Sequence, residues 1–118
     1  MNFELYDHIL DSIWVFNKEL EIIYFNSATA ALLDVSPKRI KKGKKVHSYL
    51  NFEDSEVFFM SDGHKGKDVE MKLTEIPFKT FKGKEGIALV TIKKLNNEEL
   101  WLCQIRDITL EVNLHSKY

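Results

Sequence analysis

Apolar and polar positions follow two periods along this chain, and the change of period places its elements. Near the N-terminus Phe3, Leu5, Tyr6, Ile9, Leu10 and Ile13 recur at spacings of three and four, which predicts one apolar stripe on a short amphipathic helix over residues 1–12. The β-branched and aromatic runs Trp14 to Asn17 and Glu21 to Phe25 flank a polar break at Lys18-Glu19, the signal of a hairpin. Asn26 can then accept a backbone N–H and open a small helix over Ser27 to Leu33, which carries three alanines. Ser36-Pro37 repeats the start signal, Gly43 offers a left-handed stop, and Val46 to Leu50 reads as a further turn of helix. Asp54 to Ser61, with Phe58 and Phe59, reads as another helix that ends at Gly63, and Asp62 to Lys67 as a polar loop.

From Val69 onward the pattern is that of strands. Pro77 lies near the first, Lys82-Gly83-Lys84-Glu85-Gly86 can turn the chain back, and Asn96-Asn97 joins Ile87 to Leu95 with Leu100 to Ile105. The expected order is five antiparallel strands with the helices inserted between the second and third. On the last strand Trp101, Cys103 and Ile105 point one way, and Leu100, Leu102, Gln104 and Arg106 the other. Both faces are partly apolar, so the outer face should be covered by the N-terminal helix, by a second subunit, or by both. Leu5, Ile9, Leu100 and Leu102 are the expected outer-face and dimer residues.

Composition narrows the class. A chain of 118 residues with 44% hydrophobic content suits one compact domain. No apolar run approaches the roughly 18 residues that cross a bilayer, and Glu4, Asp7 and Asp11 break the order of a secretion signal, so a cytoplasmic location is expected. The single cysteine rules out an internal disulfide and a thiolate zinc cluster, leaving packing to hold the core. Net charge is -1, yet Lys38, Arg39, Lys41, Lys42, Lys44 and Lys45 are concentrated in one stretch; the remaining 11 basic against 18 acidic residues give -7. A solvated helix face is the ordinary reading of that stretch, and a phosphate-binding surface of nucleic acid or membrane is the alternative. No glycine-rich phosphate loop, paired-histidine metal motif or nucleophile elbow is present, and no catalytic residue is assigned.

Arg106-Asp107-Ile108-Thr109 closes the last apolar strand and opens a helix over Leu110 to Tyr118. Together with Phe16-Asn17 through Asn26 at the other end, this ordered combination resembles Per-Arnt-Sim (PAS) sensory domains over nearly the whole chain. The resemblance implies an α+β fold, a five-stranded antiparallel sheet with short helices on one face enclosing a small cavity and an N-terminal amphipathic helix beside it. It divides the chain into that helix over 1–12, a sensory core over 13–109 and the start of an output helix over 110–118. It implies a homodimer in a cytoplasmic signalling protein, whose C-terminal output is a histidine kinase or a cyclic-nucleotide synthase. Arg106, Asp107 and Thr109 would then form the joint between sheet and output helix, with Asp107 capping the helix and Arg106 pairing with an acid.

The cofactor is left unassigned. Light-sensing relatives carry a reactive cysteine on a helix, whereas Cys103 lies in the final strand, and Ile105 stands where flavin-binding relatives offer a glutamine. Covalent flavin is therefore not expected. Haem is not expected either, although His47 and His64 are its nearest axial candidates; His8 and His115 read as solvated. Val46, Tyr49, Leu50, Phe58, Phe59, Trp101 and Ile105 are the expected lining of an apolar cavity for a small organic molecule. Complete filling of that core, giving a ligand-free interaction adaptor, is the alternative.

Overall fold

The computed structural model describes residues 3–53, 70–95 and 99–116. Six strands form one antiparallel sheet in the order β2-β1-β6-β5-β4-β3, with β1 at Ser12–Asn17, β2 at Ile22–Phe25, β3 at Leu50–Phe52, β4 at Glu70–Thr80, β5 at Glu85–Lys94 and β6 at Leu100–Asp107. Among the described residues the α-helices are α1, Ser27–Leu33, and α2, Thr109–Ser116; the helix expected over Asp54 to Ser61 lies outside them. Short 3-10 turns at Glu4–His8, Pro37–Arg39 and Val46–Ser48 complete the described elements.

The sixth strand corrects the expected count of five. Val46 to Leu50 was expected to be helical, but only Val46–Ser48 turns, and Leu50 and Phe52 then pair with Thr80 and Phe78 of β4. Leu50-Asn51-Phe52 alternates buried, exposed, buried. Three residues of period two are too few to stand out from the helical signal ahead of them.

A second correction concerns the N-terminus. Over the described residues of 1–12 the expected helix is confined to a 3-10 turn at Glu4–His8, and Ser12 and Ile13 already belong to β1. Phe3, Tyr6 and Ile9 lie three apart, the repeat of a 3-10 turn, and are half-buried, while Leu5 and Leu10 are 73% and 95% exposed. So short a segment cannot offset the cost of helix nucleation, and the contacts it makes with the sheet select the tighter turn. Phe3 stacks on Tyr24 of β2 at 5.3 Å between ring centroids, and the Tyr24 hydroxyl donates to Asp7 at 2.7 Å.

The register sorts the sheet into two faces. Trp14 opposite Cys103 and Phe25, and Val90 opposite Ile105, face inward. They pack with Leu33, Ile40, Val46, Leu50 and Phe78 in one buried cluster. Helix α1 lays Thr29, Ala30, Leu32 and Leu33 on this face, a stripe at spacings of three and four. Val15 and Ile13 face outward but are also buried. Leu89, Leu100 and Leu102 remain half-buried on the same outer face.

Candidate functional site

Two hydrogen-bond centres fix the end of the sheet where β6 passes into α2. Asn26, fully buried, is the first. Its Oδ1 accepts from the backbone N–H of Ile13 and Thr29 and from the Thr29 hydroxyl at 3.0–3.2 Å. Its Nδ2 donates to the carbonyls of Tyr6 and Asp11, both at 3.0 Å. The residue expected as a helix cap thus also ties the N-terminal segment to β1.

The second centre is the joint. Asp107 Oδ1 accepts from the Thr109 backbone N–H at 3.0 Å and from the Thr109 hydroxyl, closing an Asx turn ahead of α2. Thr109 Oγ1 in turn accepts from the Ile87 N–H of β5 at 2.9 Å. This close approach needs Gly86, where a Cβ would lie 2.6 Å from both Thr109 Oγ1 and Phe78 Cζ. The first residue of α2 is therefore bonded to both β5 and β6.

Charges bracket the joint. Arg106 Nε meets Asp11 Oδ1 at 3.1 Å, and Gln104 donates to Asp11 Oδ2 at 2.7 Å, so the N-terminal segment is latched to β6. Burial, the largest single influence, pushes the Asp11 carboxyl up, but the bonds from Arg106 and Gln104 and the guanidinium charge together hold it below the ordinary carboxylate range. Lys84 stands 3.6 Å from Asp107 Oδ2 and donates to the Leu32 carbonyl at 3.3 Å, while Lys82 donates to Asp34 at 3.1 Å. These ammonium groups meet the negative end of α1. Asp34 itself takes the left-handed conformation there, at φ 58°.

Clefts open on the described surface beside the joint and on either side of the sheet. One of about 320 Å³ lies beside the joint, between Ala28, Leu32, Lys84, Ile105 and Asp107. One of about 390 Å³ lies among Phe52, Pro77, Phe78 and Gly86, and one of about 240 Å³ on the outer face among Asp11, Lys72, Thr91 and Gln104.

Of the expected cavity residues, Val46, Tyr49, Leu50, Trp101 and Ile105 meet in the core cluster, and Phe58 and Phe59 lie outside the described residues. Trp14 was not expected there, yet it is fully buried beside them, and its Nε1 finds no acceptor among the described residues. Its sequence signal was a strand aromatic like any other. His47 is exposed, and His64 lies outside the described residues. Cys103 is fully buried and desolvation pushes its thiol up, so it is a packing residue. Among the described residues no three His, Cys, Asp or Glu side chains gather as metal ligands. Asp107 and Thr109 bond each other, whereas Arg106 turns away to Asp11; Asp11, Lys84 and Gly86 were missed as partners of these residues, because each reaches them only through tertiary folding.

At the level of sequence no family model matches and no curated protein is significantly similar. Solved structures are similar in fold. The PAS domain of nitrogen regulation protein NR(II) from Vibrio parahaemolyticus superposes with a TM-score of 0.69 at 16% identity, over 88% of this chain and 94% of that one. The PAS domain of an HTR-like protein from Haloarcula marismortui gives 0.69 at 19% identity, over 88% and 91%. A domain of a sensory box sensor histidine kinase/response regulator from Geobacter sulfurreducens gives 0.62 at 16%, over 87% and 88%. With its curled antiparallel sheet, helices on the inner face and a strand-to-helix exit at Asp107 to Thr109, the chain has the PAS fold.

Proposed function

We propose that this chain is the sensory and dimerisation domain of a cytoplasmic signalling protein. Ligand or partner state is relayed through Arg106, Asp107 and Thr109 to α2 and so to an output domain beyond it, a histidine kinase or a cyclic-nucleotide synthase. The observation that carries this reading is the double attachment of Thr109, to Asp107 at the end of β6 and to Ile87 of β5. A shift between these two strands therefore displaces the start of α2, which a helix tethered to one strand would not feel. Kinase-derived domains among the structural neighbours support the choice of output.

A small molecule in the inner face is the stimulus this reading favours. Trp14 supports it: its buried indole N–H has no partner among the described residues, and an unmet donor costs about 1–3 kcal/mol, which a ligand or water bearing an acceptor would recover. The test joins the chain in register to the catalytic core of a histidine kinase and compares autophosphorylation in wild type and Asp107→Ala. The expected variant folds normally but no longer alters output with stimulus. Identical regulation in the two proteins would overturn the joint.

A further inference from the structure

The basic stretch remains unexplained by the sensory reading, and the fold gives it a definite form. Lys38 and Arg39 lie on the 3-10 turn, and Lys41, Lys42, Lys44 and Lys45 follow it; all six are exposed. The segment is not a loose loop. Gly43 donates to the Ile22 carbonyl and Ile22 to the Lys44 carbonyl, both at 2.8 Å, and Val46 donates to Leu20, so the backbone lies along the free edge of β2. Among the described residues none of the six cations is paired with a carboxylate; the salt bridges there are Lys18 to Glu99, Lys84 to Asp107 and Arg106 to Asp11.

Apolar side chains adjoin the cations. The Lys41 N–H donates to the Tyr49 hydroxyl at 2.9 Å, and Tyr49 meets Phe81 edge-on at 5.4 Å. Phe81 is 41% exposed at the β4–β5 turn, next to Lys82, and Ile23 is 37% exposed beside the edge that Gly43 and Lys44 cover. Sequence separation hides this: Phe81 lies forty residues from Lys41.

We propose that this face docks on an anionic membrane surface, with the six cations against the headgroups and Phe81 and Ile23 at the acyl boundary. Positive charge that no carboxylate among the described residues neutralises, in a chain otherwise at -7, supplies the complementarity, with the Lys45 ammonium bonded to the Glu19 carbonyl. Five of the six are lysines, point charges suited to diffuse headgroup charge, whereas phosphate-specific recognition favours the guanidinium fork. The cations line none of the three clefts described above, and one exposed ring is no stacking platform for bases.

Flotation of the whole chain with phosphatidylcholine vesicles, with and without phosphatidylglycerol, tests this. The expected result is binding only to the anionic vesicles, strong where the Debye length is about 30 Å and weak where it is about 8 Å. Lys41→Gln/Lys42→Gln/Lys44→Gln should lower the partition coefficient about a hundredfold, at roughly fivefold per lysine. Phe81→Ser should lower it severalfold while its circular dichroism stays that of wild type. Equal binding to neutral vesicles, or undiminished binding by the folded triple variant, overturns the proposal. So does tighter binding of a single-stranded oligonucleotide than of vesicles at the same salt, which assigns the patch to nucleic acid. Salt-independent aggregation of the triple variant without any vesicle binding by wild type also overturns it, leaving the lysines as guards of the β2 edge.

Discussion

At the scale of single residues, Asn26 and Ser36 make a controlled comparison. Both precede a helical segment and both have the side chain of a good N-cap. Asn26 is buried and uses both ends of its amide, whereas Ser36 is exposed and makes no capping bond. Asn26→Ala would strand the Ile13 and Thr29 donors in the core, so a loss of about 3 kcal/mol is expected in urea denaturation, against under about 0.5 for Ser36→Ala. Similar losses for the two would remove Asn26 from its central place. Gly86 makes a sharper case, because steric contact and not backbone dihedral fixes it. Gly86→Ala should cost about 1–3 kcal/mol through overpacking against Phe78 and Thr109, and Thr109→Ser, which keeps the hydroxyl, should cost less. The cap at Asn26 was legible because it needs only its own helix. Its bonds to Tyr6 and Asp11 were not, because they depend on where the N-terminal segment lands.

At the scale of elements, what the sequence made legible depended on length. Hairpin, α1 and the alternation of β6 stood out because each carries a full period or more of signal. The first segment failed because Phe3, Tyr6 and Ile9 satisfy both a helical stripe and a 3-10 repeat, and only contact with Tyr24 chooses between them. Strand β3 failed because three residues cannot declare a period. The joint was half legible: Asp107 and Thr109 are local partners, while Ile87, Lys84 and Asp11 are not. Asp107→Ala should therefore fray α2 by about 1 kcal/mol, seen as faster amide exchange over Thr109 to Ser116, with β1 and β6 protection unchanged. The latch is expected to show in acid. The Asp11 pKa is lower folded than unfolded, so its contribution is present above the ordinary carboxylate value and is lost as pH falls through the depressed one. Asp11→Asn should accordingly weaken the protein at pH 7, and the difference from wild type should shrink below about pH 4. A difference that stays constant with pH would mean that packing, not charge, holds the segment.

At the scale of the whole molecule, the N-terminal segment covers only part of the outer face. Val15 and Ile13 are buried on the β1 side, whereas Leu89, Leu100 and Leu102 are half-buried. A second copy docked on β5 and β6, as the proposed dimer requires, would cover these apolar groups while leaving the basic β2 edge free. Leu102 is the position to change, because it lies opposite Val15 on one side and Lys93 on the other. A glutamate there gains a cross-strand lysine, so the fold tolerates it, whereas two such carboxylates facing each other across a symmetric interface repel. Native mass spectrometry should find wild type dimeric and Leu102→Glu monomeric at the same micromolar concentration, a weakening of at least about thirtyfold for a central residue worth 2 kcal/mol. A variant as dimeric as wild type would move the interface off this face and onto the exposed Leu110 and Leu114 of α2, where Leu114→Glu would then be the substitution that separates the subunits.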